Sequence, residues 1–184
     1  IEADTKHRPG RAYSLRRHET STGKRYRFMG AAVSTVEDLK ALVGQEVNVG
    51  PWYEVTQERV NAFADATGDH QFIHVDPERA AQTPFGGTIA HGFFTLSLIV
   101  SLGQGGDGVK MQLPLRMGVN YGLNRVRFPA PVRVGKRVRL HSKLQSVEEV
   151  APQILQLIYE QTVEIEGEAK PGCVAESIVR LYLA

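Results

Sequence analysis

The sequence predicts an α+β domain in which an antiparallel sheet wraps around one apolar helix. Three observations carry this. Helical patterns come early in the chain and strand patterns late. The stretch 89–102 between them is apolar on almost every side, as a helix buried on most of its surface would be. The four late strand patterns are separated by short glycine and proline turns, which suit antiparallel neighbours. With 184 residues, 42% of them hydrophobic, the chain fits one ordinary domain plus a tail.

The elements follow in order. Ser34 and Glu37 form an S-x-x-E capping box, and Val36, Leu39 and Val43 then share a face, with Gly44 as the stop. Residues 47–55 read as a strand, with Pro51 marking an edge or a bulge. Thr56 is the next N-cap, Val55 and Val60 form a hydrophobic staple, and Val60, Phe63, Ala64 and Thr67 continue at helical spacing until Gly68. Residues 69–88 read as irregular except for one helical turn from Asp76-Pro77 to Ala81, with proline at its first position. The apolar helix 89–102 and a glycine-rich connection, 103–108, come next. Strands follow at about 115–128, 136–149, 152–166 and 173–183. In the third of these, Leu155, Leu157, Tyr159, Val163 and Ile165 share one face and Gln156, Glu160, Glu164 and Glu166 the other, the pattern of a half-buried antiparallel strand. A sheet of this kind has open edges, and pairing with a second copy is a common way to cover one, so a homodimer is expected.

The formal charge of +2 is unevenly placed. Residues 1–28 carry eight basic and three acidic side chains, a surplus of five, which leaves the remainder at −3. The basic character therefore belongs to residues 1–30, read as a flexible or non-native extension, while 31–184 forms the single domain. Met29, where the pattern changes, is expected to be the natural start. The acidic body argues against nucleic acid as a partner. No apolar run is long enough to cross a membrane, no secretory signal is legible, and the single Cys173 permits no internal disulfide. A soluble, cytoplasmic protein is expected.

The unusual chemistry lies between Phe63 and Asp76. Asp69, His70 and His74 follow the break at Gly68 and surround the apolar pair Phe72-Ile73. A carboxylate and an imidazole brought to one pocket are standard equipment for proton transfer near neutral pH. His70 and His74, four apart beside Asp69, could also be a metal pair. The loop has no glutamate between them and no cysteine, so no metal is expected. A second feature is Ala90-His91-Gly92 at the start of the apolar helix. The first amides of a helix lack partners within it and favour negative charge. Gly92 leaves its N–H approachable, as an oxyanion donor requires; the alternative is a glycine demanded only by crowding.

Taken together, Phe63-Ala64, Thr67-Gly68-Asp69, Ile73-His74, Ala90-His91-Gly92 and the run Asn120-Tyr121-Gly122 to Arg125-Val126-Arg127-Phe128 resemble the MaoC-like hydratase/dehydratase family, the (R)-specific enoyl-CoA hydratases. The likeness extends from about residue 47 to the C-terminus. It implies a hot-dog fold, a dimer, and a reversible addition of water to a trans-2-enoyl thioester. Asp69 and His74 would activate the water, and the Gly92 amide would bind the thioester oxygen. No metal or organic cofactor is implied, and coenzyme A or acyl carrier protein would be part of the substrate. The family's Asn-Pro is Gln71-Phe72 here, which bears on substrate preference. Gln71, Phe72, His91, Arg125 and Arg127 are candidate substrate-binding residues. His91 alternatively serves as a hydrogen-bonding residue at the helix entry, and the two arginines as structural partners of nearby acids. A hot-dog acyl-CoA thioesterase and a non-catalytic acyl-thioester binding module are the rival readings.

Overall fold

A computed structural model describes residues 32–184. The expectations placed on 1–30, including Met29, lie outside the described residues. The chain runs β1 (Ala32–Val33), α1 (Val36–Lys40), β2 (Glu46–Val49), β3 (Tyr53–Glu54), α2 (Gln57–Thr67), α3 (Phe72–Val75), α4 (Pro77–Ala81), α5 (Gly92–Ser97), α6 (Ile99–Leu102), β4 (Asp107–Gly108), β5 (Lys110–Met111), β6 (Leu115–Arg127), β7 (Arg137–Ala151), β8 (Ile154–Ile165) and β9 (Cys173–Leu183). The main sheet has the order β4-β2-β7-β8-β9-β6, with β3 also on β7, and its pairings are antiparallel. A short parallel pair, β1 with β5, stands apart.

The alternation read in 152–166 is the alternation observed. Leu155, Leu157, Val163 and Ile165 are fully buried on β8 and meet Val138, Leu140 and Leu144 from β7. Phe94, Leu98 and Leu102 lay the helical layer across this face, joined by Val55, Val60, Cys173 and Ala175. The predicted staple partners Val55 and Val60 are thus both core residues. A second cluster, with Leu39, Leu42, Leu144, Leu155 and Leu157, closes the other end beneath α1.

Four expectations need correction. The capping box is Thr35 with Asp38, one residue later than Ser34 with Glu37: the Asp38 amide donates to the Thr35 hydroxyl at 3.0 Å and the Thr35 amide donates to the Asp38 carboxylate at 3.1 Å. α1 ends at Lys40, so Val43 leaves the apolar face, stands exposed, and is replaced in the core by Leu42. The strand 47–55 is two pieces, β2 and β3, parted around Pro51. Proline cannot donate to a ladder, and at Gly50 the chain passes so near the Leu102 carbonyl that a Cβ there would collide with it.

The fourth correction concerns the apolar helix. It begins only at Gly92, because 88–90 are held extended by pairing with the 132–134 segment, and it runs as α5 and α6 joined through Leu98. Nor is it buried all round: Phe93 is 69% and Val100 53% exposed. The edge strand β6 behaves alike, with Leu115, Met117, Val119, Tyr121 and Leu123 all exposed. Among the described residues no further strand pairs with this edge, which carries much apolar surface. No helix among the described residues is long and apolar enough to cross a membrane.

Candidate functional site

α2 delivers the first acid. Its N-cap hydroxyl, from Thr56, accepts from the Arg59 amide, and its end is set by Gly68 in the left-handed region, φ +78°, where a side chain is disfavoured. Asp69 follows immediately and is exposed. Its carboxylate accepts from the Gln71 amide at 3.4 Å, an Asx-type turn that leads into α3. The sequence predicts irregular chain here, since four residues show no periodicity, and the structure instead forms this turn of helix. It carries His74.

His74 is 7% exposed. Its Nδ1 lies 2.7 Å from the Ile89 carbonyl oxygen. A carbonyl only accepts, so Nδ1 carries the proton and Nε2 keeps its lone pair. Burial, partly opposed by that backbone bond, pulls the His74 pKa below its ordinary value of 6.5. The imidazole is thereby poised as a neutral base. Asp69, His74 and His91 each place one side-chain oxygen or ring nitrogen within 4.8 Å of the others. Such a carboxylate–imidazole–imidazole group could hold a metal ion; it is equally a cradle for one water molecule.

His91 is 3% exposed and departs from an N-cap's usual role, because its side chain makes no cap bond to its own helix. Its Nε2 instead donates to the Asp69 backbone carbonyl at 2.9 Å, and its ring stacks on His74 at 3.7 Å. Gly92 begins α5 beside it. A Cβ there would lie 2.8 Å from the Phe128 ring, so crowding does require glycine, and its amide still stands at the first helical position, without a partner in the helix.

The structure thus brings Asp69, His74, His91 and Gly92 together. The other candidates sit apart or face elsewhere. His70 pairs outward with Asp65 at 2.8 Å. Gln71 is exposed, and Phe72 lies beneath the Arg79 guanidinium, 4.3 Å from its ring centre. Arg125 and Arg127 are exposed opposite Glu176 and Val174. That is one common side of the sheet, opposite the side on which their neighbour Val126 meets the core.

One residue escaped the sequence reading. Gln57 donates to the His74 carbonyl at 2.7 Å and accepts from the Thr88 hydroxyl at 2.5 Å, tying α3 to α2 and to the segment before α5. Its position in the first turn of a helix reads as solvent-facing, and nothing in its spacing signals these partners.

Comparison with known proteins agrees with this architecture. Residues 38–165 match the MaoC like domain. The chain is 57% identical over 150 residues to 3-hydroxyacyl-thioester dehydratase Z of Mycobacterium tuberculosis, covering 82% of this chain and 97% of that protein. It is 47% identical over 145 residues to nodulation protein N of Rhizobium meliloti, covering 78% and 89%. Among solved structures, the (R)-hydratase from A. caviae involved in PHA biosynthesis superimposes with a TM-score of 0.57 at 26% identity, covering 76% of this chain and 97% of that one. The main sheet and its helical layer are accordingly those of the hot-dog fold, and the chain belongs to the MaoC-like dehydratase family.

Proposed function

We propose that this chain is an (R)-specific 3-hydroxyacyl-thioester dehydratase, working reversibly as an enoyl-thioester hydratase. The observation that carries the reading is the hydrogen bond from His74 Nδ1 to the Ile89 carbonyl, which leaves Nε2 as a base beside the Asp69 carboxylate. In the hydration direction, a water held by both groups attacks C3 of a trans-2-enoyl thioester as His74 Nε2 takes its proton. The C2–C3 π electrons move onto the thioester oxygen, which the Gly92 amide receives by hydrogen bonding. A proton from the Asp69/His74 pair then goes to C2 on the same face. Hydroxyl and hydrogen have been added, and the product is the (R)-3-hydroxyacyl thioester. No cofactor enters, because the thioester itself stabilises the charge. The name of the mycobacterial relative supports the substrate class. The carrier is coenzyme A or acyl carrier protein, and the single cysteine, buried with its thiol pushed up to about 11, suits a reducing cytoplasm.

The active unit proposed is a homodimer. β6 presents its apolar edge, and this strand leads directly to Phe128, whose ring lies over Gly92. A second copy on that edge would also wall the site.

The test is the loss of enoyl-thioester absorbance with crotonyl-CoA. Wild type should remove it without releasing thiol, and Asp69→Asn and His74→Gln should each slow this by roughly a hundredfold. Thiol release would mean a thioesterase. Binding without turnover, for both crotonyl-CoA and a longer enoyl-CoA, would mean a binding module.

A further inference from the structure

The cluster holds one buried side chain that the proposed reaction does not use. His91 contacts every part of the machinery. Through Nε2 it holds the Asp69 backbone at 2.9 Å. One ring face stacks on His74, 3.7 Å between centres and 27° between planes. Phe63 of α2 meets the same ring at 5.1 Å and continues to Phe94 of α5 at 5.6 Å. The next residue along the chain supplies the Gly92 amide. The His91 Nδ1 is buried and has no hydrogen-bond partner among the described residues, a polar group that an apolar ring of similar shape would not place there. What an imidazole adds here over an apolar ring is the Nε2 bond to the Asp69 carbonyl.

We propose that His91 is a positioning residue for the hydratase site, fixing the distances among the Asp69 carboxylate, the His74 base and the Gly92 amide. This rests on the reading of Asp69 and His74 given above. The ring has two separable jobs. The Nε2 bond pins the Asp69 loop to the start of α5, and the stack sets the plane of His74, whose other restraint is the single bond to Ile89. Neither job requires His91 to touch substrate. Removing either leaves the pair and the oxyanion donor present but misaligned, and a misplacement of the order of 1 Å costs about a hundredfold in rate.

The two jobs separate by substitution. His91→Phe keeps the stacked ring and removes the donor. His91→Gln keeps a donor near Nε2 and removes the ring. His91→Ala removes both. Steady-state hydration of crotonyl-CoA, with thermal unfolding of each purified protein, should show kcat lowered at least tenfold in the Phe variant and about a hundredfold in the Ala variant. The Gln variant should recover part of the difference. KM should stay within about threefold throughout, and the Phe variant should unfold no earlier than wild type. A loss carried by KM would make His91 a substrate contact and overturn the inference. So would kcat within threefold of wild type in the folded Phe and Ala variants. Asp69→Asn and His74→Gln run alongside: if they keep wild-type rates, the underlying reading has failed, whereas if they are dead and the His91 variants are not, only the role of His91 falls.

Discussion

His74 and His141 are the same side chain tuned in opposite directions. His74 meets a backbone carbonyl and a buried wall, and its pKa falls. His141 on β7 lies between two carboxylates, 2.8 Å from Glu46 and 2.6 Å from Glu164. Its pKa rises, most through Glu46 and despite its burial. An imidazole whose folded pKa is raised contributes stability that is fully present below the ordinary value of 6.5 and is lost as pH climbs through the raised one. Thermal unfolding between pH 5.5 and 9 should therefore show a decline as pH rises above 6.5, and Glu46→Gln should flatten it. An unchanged profile in that variant would remove the ion pair from the account. Nothing local in the sequence signals these partners: Glu46 is 95 positions away in the chain and Glu164 is 23.

At the scale of elements, the helix-to-loop junction at Gly68 governs where Asp69 points. A Cβ at Gly68 would meet nothing within 4 Å, so the only obstacle to a side chain is the left-handed backbone. Gly68→Ala should cost about 1 kcal/mol and lower Tm by roughly 2–4 °C. Gly68→Asn should recover part of that, because Asn tolerates this region. Equal Tm values for the two variants in calorimetry would show that the junction is unstrained. The junction, the helix after Thr56 and the turn at Pro77 were all legible, because caps, breakers and apolar spacing are local signals. What was illegible was set by distant partners. The predicted helix does not start at 89 because the Ala90 amide donates to the Val132 carbonyl and the Thr88 carbonyl accepts from the Val134 amide, both in a segment distant in sequence. α3 was missed because its four residues are held by Gln57 and Ile89 rather than by any pattern of their own.

For the whole molecule, the four long strands and the helical layer followed from period-two alternation and one apolar run. Exposure did not. Phe93 and Val100 read from sequence as parts of a buried helix, yet they face outward in the single chain, as does the apolar edge of β6. The same apolar pattern serves an interior and an interface, and sequence cannot separate them. Equilibrium sedimentation should give a dimer for wild type. Met117→Glu combined with Leu123→Glu should shift it towards monomer, since paired carboxylates on an edge oppose strand association. A wild-type monomer would overturn the dimer, and a double variant still dimeric would place the contact elsewhere.

The carbonyl that orients His74 has a consequence for the environments this protein tolerates. A charge partner weakens as ions accumulate around it, but a peptide oxygen at 2.7 Å from a buried ring is not screened in that way. Burial and the backbone bond are the largest influences on the His74 proton affinity, with the His91 and Asp69 charges behind them. Brine would loosen the Glu46–His141–Glu164 clasp on the main sheet more than it would retune His74 in the candidate site.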